Sequence, residues 1–135
     1  MEIKMEIGTV NEINVTVEEN MTAASMKSGS LQVLATPYMI ALMEQASAEL
    51  CQKFLPDDIS SVGTMVNIQH LAATSVGAPV RVTATLTEFD GRKASFEVVA
   101  YDNAGVIGKG THERFTIKVE SFLKKTQERK DIVAQ

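Results

Sequence analysis

Residues 36–54, TPYMIALMEQASAELCQKF, carry the pattern that decides the fold. Thr is favoured as a helix N-cap and Pro at the first helical position, so Thr36 and Pro37 predict that a helix begins here. Because Pro56 lies just beyond the pattern, the helix should run from about 37 to 54. Apolar side chains recur along one broad stripe that must be buried, at Met39, Leu42, Met43, Ala46, Leu50 and Phe54.

The sequence on both sides of this helix alternates between apolar and polar residues, which is typical of β-strands. Residues 1–17 predict a strand, and residues 18–31 predict a short helical turn followed by a loop. The charged tail from Glu120 predicts a short surface helix that frays. Four strands should lie between, with a tight turn at Asp90-Gly91, over residues 61–71, 79–89, 92–101 and 106–119.

One long helix and about five antiparallel strands must share a single core, so we expect an α+β fold in which the sheet curls around the helix. Such a sheet leaves an edge strand and a second face uncovered. Homodimerisation is the usual way to cover exposures of this kind, and we therefore expect a homodimer.

Composition limits the partners and the location of the protein. The 135 residues fit one domain, and a net charge of −4 without any Trp argues against a nucleic-acid-binding surface. Cys51 is the only cysteine, which excludes an internal disulfide and fits a cytoplasmic location. The first residues lack the apolar centre of a signal peptide, and no apolar run approaches the ~20 residues of a membrane span. We therefore expect a soluble cytoplasmic protein without a membrane partner.

Three polar residues are candidates for chemistry. Thr36 stands at the positively polarised start of the helix, Glu44 lies at the border of its apolar stripe, and His70 ends the strand 61–71. We place His70 on one face of that strand together with Val62, Thr64, Val66 and Ile68. Each candidate also has a purely structural interpretation: a cap for Thr36, a solvated helix residue for Glu44, and a core histidine bonded to a backbone carbonyl for His70.

Helix geometry tests whether these three residues can meet. Thr36 and Glu44 are separated by about 12 Å along the axis at ~1.5 Å per residue. Helical side chains lean toward the N-terminus, which leaves about 8 Å, enough for an imidazole and two hydrogen bonds. A relay of Thr36, His70 and Glu44 within one chain is therefore feasible, and the alternative is that a dimer partner supplies one member.

Four segments occur in order along the chain: VLATPYMIALME at 33–44, SVGT at 61–64, HLAATSVG at 70–77 and GKGTHER at 108–114. Together they resemble the fluoroacetyl-CoA thioesterase-like family of the hotdog superfamily, over roughly residues 5–120. The resemblance implies a hotdog-fold domain over 1–120, with 121–135 as a charged C-terminal tail, and a dimer. It also implies a thioesterase that hydrolyses short acyl-CoA thioesters with no metal and no cofactor apart from the CoA of the substrate.

The resemblance assigns roles to five residues. Its catalytic set maps onto Thr36, Glu44 and His70, and its substrate contacts map onto Gly63 and Arg114. The thioester carbonyl would lie near the start of the helix, where free N–H groups stabilise the developing oxyanion. Thr36, or a water that it positions, would attack, with His70 as the base and Glu44 supporting the imidazolium. A non-catalytic acyl-CoA-binding module and a scaffold dimer with a relic site are the alternatives.

The sequence departs from the family in one respect, because residues 18–35 contain no Phe to close the pocket. We therefore predict a thioesterase without specificity for the fluoroacetyl group. The sequence holds two histidines without ligand spacing, so we predict no metal site, and we interpret His112 as structural. Cys51 is interpreted as a small buried hydrophobe. Three basic residues are available to meet the CoA phosphates: Arg92, Lys93 and Lys109.

Overall fold

The computed structural model describes residues 2–133. These residues form an antiparallel sheet of five strands and three α-helices, with a 3-10 turn at Glu19–Met21. The helices are α1 Ala23–Met26, α2 Thr36–Gln52 and α3 Val119–Lys130. The strands are β1 Val10–Thr16, β2 Ile59–His70, β3 Pro79–Phe89, β4 Lys93–Asp102 and β5 Gly105–Lys118.

The strands lie in the order β1-β3-β4-β5-β2, and the sheet curls around α2, as predicted. The carboxylate of Asp90 accepts hydrogen bonds from the backbone N–H groups of Arg92 (3.0 Å) and Lys93 (2.7 Å), which closes the predicted hairpin turn. Alternate residues of β3 and β4 face the helix and are fully buried: Val80, Val82, Ala84, Leu86, Ala94, Phe96, Val98 and Ala100. They pack with the buried stripe of α2, where each large apolar side chain contributes about 1.5–3 kcal/mol.

The start of the long helix differs from the prediction. The helix begins at Thr36, and Ala35 is its N-cap residue, with extended dihedrals (φ −70°, ψ 139°) and no side-chain cap. Ala35 is held by its own N–H, which donates to the carbonyl of Met21 at 2.9 Å. Backbone pairing therefore sets the start of the helix, and the hydroxyl of Thr36 is left for another partner.

The N-terminal strand is shorter than predicted. Residues 2–9 are not strand, because Gly8 takes a positive φ of 91° and the hydroxyl of Thr9 donates to the carbonyl of Glu6 at 2.7 Å. This turn ends the alternating pattern that the prediction extended back to Met1, a residue outside the described part of the chain. The tail 121–135 was predicted as charged. Its first part continues α3, which has no buried residue, and its last two residues lie outside the described part.

A β-bulge in β2 corrects the predicted face of that strand. Gly63 pairs with Arg114 and Met65 with Glu113, so Thr64 is an extra residue that shifts the register. The shift exchanges the two faces of the strand. The prediction that Val62 and Thr64 share the face of His70 is therefore wrong. Instead Gly63, before the bulge, and His70, after it, both face α2.

The two edge strands of the sheet are β1 and β2, each of which pairs with a neighbour on one side only, and β2 carries Gly63 and His70. On β2 the side chain of Val66 is 47% exposed. In residues 2–133 no helix is long and apolar enough to cross a membrane.

Candidate active site

Thr36 and His70 are in direct contact. Thr36 is the first residue of α2 and His70 the last residue of β2, and Oγ1 of Thr36 lies 2.7 Å from Nδ1 of His70. The hydroxyl is therefore available to an imidazole that can accept its proton. This contact also explains why Thr36 does not act as a side-chain cap.

The other nitrogen of His70 is free. Nε2 is buried and has no hydrogen-bond partner among the described residues. Burial lowers the pKa of His70, and the backbone of Ala72 opposes this effect only in part. Since burial disfavours the imidazolium, the ring is neutral at pH 7 and can serve as a base.

A cavity of about 300 Å³ opens beside this pair. Its walls are aliphatic or small side chains from the loop before α2 and from the segment after β2; they are Ala23, Ser28, Val33, Leu34, Leu71, Ala72 and Ala73. The backbone N–H groups of the first turn of α2 have no acceptor within the helix. Because Pro37 has no N–H group, the N–H groups of Thr36 and Tyr38 are the ones available to a ligand. A carbonyl in this cavity would meet a hydroxyl, a base and partial positive charge.

Glu44 belongs to a second cluster. Its Oε2 lies 2.8 Å from the position that a Cβ would take at Gly63, and 4.0 Å from Nη1 of Arg114. Arg114 is buried, and its Nε donates to Oγ of Ser61 at 2.8 Å while Nη2 donates to the carbonyl of Ser61 at 3.0 Å. The cluster therefore combines a carboxylate, a guanidinium and a backbone left bare by glycine.

The two clusters are separate within one chain. Nδ1 of His70 is hydrogen-bonded to Thr36, and Nε2 has no hydrogen-bond partner in residues 2–133. Glu44 therefore makes no hydrogen bond to that ring. The relay within a single chain, which the helix spacing allowed, is therefore not formed. The five residues divide into a pair, Thr36 and His70, and a trio, Glu44, Gly63 and Arg114.

His112, for which the sequence predicts a structural role, is also a member of the second cluster. It is 1% exposed, it stacks on Phe96 at 6.1 Å between ring centroids, and both of its nitrogens are engaged by neighbours. The signal in the sequence was that Gly108, Gly110, His112 and Arg114 alternate on one face of β5. Glycines on that face allow another part of the chain to pack closely against it.

The remaining candidates lie outside both clusters or at their margins. Cys51 is buried, as predicted, and burial raises the pKa of its thiol. Lys93 pairs with Glu113 at 3.7 Å, and Arg92 lies over the ring of Phe115. In residues 2–133 no group of three or more His, Cys, Asp or Glu side chains is arranged to hold a metal ion.

Comparison with known proteins places the chain in a family. Residues 17–120 match the family described as FlK, fluoroacetyl-CoA-specific thioesterase. A fluoroacetyl-CoA thioesterase from Streptantibioticus cattleyicolor is 40% identical over 98 residues, which cover 73% of this chain and 70% of that protein.

Solved structures agree with this match. The fluoroacetyl-CoA thioesterase FlK superposes with a TM-score of 0.88 at 33% identity, covering 93% of this chain and 97% of its own. A mutant of FlK in complex with acetyl-CoA gives a TM-score of 0.87 at 33% identity, covering 93% and 98%. A hot-dog-like protein from Thermanaerovibrio acidaminovorans shares the fold at 22% identity, with a TM-score of 0.85 and coverage of 97% and 96%.

The expected hotdog fold is thus confirmed. The chain belongs to the fluoroacetyl-CoA-specific thioesterase family, and it is a hotdog-fold enzyme that hydrolyses acyl-CoA thioesters.

Proposed function

We propose that the enzyme hydrolyses short-chain acyl-CoA thioesters at a site completed by two copies of the chain. Thr36 and His70 of one copy carry out the chemistry, Glu44 of the second copy supports it, and Gly63 and Arg114 of that second copy contact the substrate. The observation that carries this proposal is the 2.7 Å contact between Oγ1 of Thr36 and Nδ1 of His70, on a ring whose Nε2 has no partner among the described residues.

The reaction follows from the acidity and placement of these groups. The hydroxyl of Thr36 attacks the thioester carbonyl while Nδ1 of His70 takes its proton. The N–H groups at the start of α2 stabilise the oxyanion, the C–S bond breaks, and the proton passes to the CoA sulfur. Water then hydrolyses the acyl-Thr36 ester with His70 again as base. The only group that this reaction needs besides the chain is the CoA of the substrate itself.

The free Nε2 of His70 gives Glu44 its role. When Nδ1 accepts the proton from Thr36, the ring carries a positive charge, and a carboxylate at Nε2 stabilises that charge and orients the ring. Glu44 of the same chain is held over Gly63 instead. A second copy is therefore the natural source of the carboxylate.

The edge of β2 supports this arrangement. Gly63 and His70 lie seven residues apart on that strand, about 23 Å at ~3.3 Å per residue, and both face α2. If two β2 strands pair antiparallel about a twofold axis between Val66 and Asn67, His70 of one copy comes opposite Gly63 of the other. The same pairing covers the exposed Val66 and satisfies the open backbone edge. A homodimer would thus bring the two clusters together twice.

The acyl group should be short and not limited to fluoroacetyl. The cavity beside Thr36 and His70 holds about 300 Å³, and the rest of its lining consists of small or aliphatic side chains without Phe, Tyr or Trp. Selection for a single fluorine demands a closely fitted wall, because one small group in an apolar pocket changes specificity by only ~1–3 kcal/mol. A CoA ester of two to four acyl carbons fits this lining.

Thiol release from CoA esters of two to eight acyl carbons, with fluoroacetyl-CoA beside them, tests the proposal. We expect turnover of the short esters and loss of at least ~10²-fold in kcat for Thr36→Val and His70→Asn. Thr111→Val, at an exposed position of β5, is the matched control and should keep wild-type activity. Binding of CoA esters without hydrolysis would instead indicate a binding module. Full activity in both Thr36→Val and His70→Asn would refute the assignment.

The nucleophile is tested separately. Rapid mixing followed by acid quench and mass spectrometry should detect an acyl group on Thr36 in the wild-type enzyme, and Thr36→Ser should retain turnover. A Thr36→Ala enzyme with wild-type turnover would show that water attacks directly.

A further inference from the structure

The hydrogen-bond partners of His112 fix the tautomer of its neutral ring. Nη1 of Arg114 lies 3.2 Å from Nε2 of His112, and a guanidinium can only donate, so Nε2 is the acceptor. The proton of the neutral ring is therefore on Nδ1, which donates to the carbonyl of Met65 at 2.7 Å. The ring connects the backbone of β2 to the guanidinium of Arg114.

Arg114 depends on this ring for one of its three anchors. Ser61 takes two of the guanidinium's N–H groups, through its hydroxyl and its carbonyl, and His112 takes the third. The carboxylate of Glu44 is 4.0 Å from Nη1, too far to hold it by a hydrogen bond. Nη1 is thus the guanidinium nitrogen of Arg114 that faces Glu44 and Gly63. The hydrogen bond to His112 sets the orientation of this nitrogen.

We propose that His112, as the neutral ring with its proton on Nδ1, is a positioning residue that aims Nη1 of Arg114 at the bound acyl-CoA. This rests on the proposed function, in which Arg114 contacts the substrate. A protonated His112 has no lone pair for Arg114 and places a second cation 3.2 Å from it. Acid therefore releases the guanidinium, and substrate binding weakens.

The charges around His112 set the direction of this effect. Burial lowers its pKa, the hydrogen bond to Met65 and the carboxylates of Glu44 on α2 and Glu113 on β5 raise it, and the guanidinium of Arg114 lowers it. Phe96 on β4 stacks on the ring and carries no charge. Since the pKa lies below the ordinary value on balance, the ring is neutral at pH 7 and Arg114 is held in place.

Two substitutions separate positioning from packing. His112→Gln keeps an acceptor for Arg114 and a donor for Met65 but cannot titrate, whereas His112→Leu fills the same space and makes neither bond. Binding of acetonyl-CoA, a ligand that cannot be hydrolysed, is measured by calorimetry from pH 5 to pH 8, so the result does not depend on turnover. The ¹⁵N shifts of His112 report its tautomer in the same samples.

We expect His112→Leu to bind acetonyl-CoA about tenfold more weakly at pH 7, the effect of losing one charged hydrogen bond, with a smaller change in kcat than in KM. His112→Gln should bind as the wild type does at pH 7 and should lose the part of the acid weakening that His112 causes. An Nε2–H tautomer, or wild-type affinity in a folded His112→Leu, would overturn the proposal. Failure of the proposed function is seen separately, as unchanged thiol release in Thr36→Val and His70→Asn.

Discussion

Oε2 of Glu44 lies 2.8 Å from the position where a Cβ would begin at Gly63. The same position is 3.1 Å from Cε1 of His112 and 3.3 Å from Nη1 of Arg114, so glycine is the residue that leaves room for all three groups. This contact joins α2 to the bulged part of β2. It fixes where the carboxylate of Glu44 lies relative to the guanidinium of Arg114.

Gly63→Ala should therefore displace Glu44 while leaving the chain folded. The carboxylate is the end of a flexible side chain that is 43% exposed, so we expect a stability loss of only about 1–2 kcal/mol. Activity should fall more than ~10-fold, because a small displacement of a positioned group is costly. Urea denaturation and thiol release measure the two effects.

The control is a double-mutant cycle with Glu44→Gln. If Gly63 matters through the position of Glu44, Gly63→Ala should reduce activity far less in the Glu44→Gln background than in the wild type. Additive losses in the cycle would contradict this explanation.

A site shared between two copies predicts complementation. Thr36→Val and Glu44→Gln should each be nearly inactive, but a mixed dimer holds one site with both wild-type residues and one with neither. Unfolding and refolding an equal mixture should restore about a quarter of wild-type activity, since half of the dimers are mixed and one of their two sites is intact. Each variant refolded alone is the control. A mixture no more active than these controls would mean that Thr36 and Glu44 of the same chain serve one site.

Much of the fold was predictable because it depends on periodic patterns. The stripe of α2 and the alternation of β3 and β4 are set by burial, and the Asp90-Gly91 turn by local backbone chemistry. The bulge at Thr64 was not predictable, because the alternation Val62, Thr64, Val66 continues through it without a break. Only the pairing with β5 shows the register shift.

The candidate site was predictable to a similar extent. The start of a helix and the end of a strand predicted where Thr36 and His70 stand, but not that they touch, since that depends on how α2 crosses β2. The separation of Glu44 from His70 was one of two alternatives that helix spacing left open. The partners of His112 could not be predicted, because only the folded sheet brings Arg114 and Met65 to its ring.

The thiol of Cys51 should be unreactive in the folded enzyme. The side chain is 0% exposed, and burial raises its pKa, so the reactive thiolate is scarce at neutral pH. Ellman's reagent should therefore report no thiol in the native protein and one per chain in denaturant. Fast labelling of the native protein would contradict the buried environment, and it would add a background to the thiol-release assay.

The pH dependence of kcat should reflect His70. Within one copy, burial lowers its pKa from the ordinary value, so the neutral base predominates at pH 7 and is lost as the pH falls through the lowered value. In the assembled site the carboxylate of Glu44 from the second copy opposes this effect, so kcat at saturating substrate should decline as the pH falls, and the midpoint should move to lower pH in Glu44→Gln. Saturation matters because protonation of His112 is expected to act on KM. The residual rate of His70→Asn should show no such decline, and a wild-type kcat that does not fall in acid would contradict the assignment of His70 as the base.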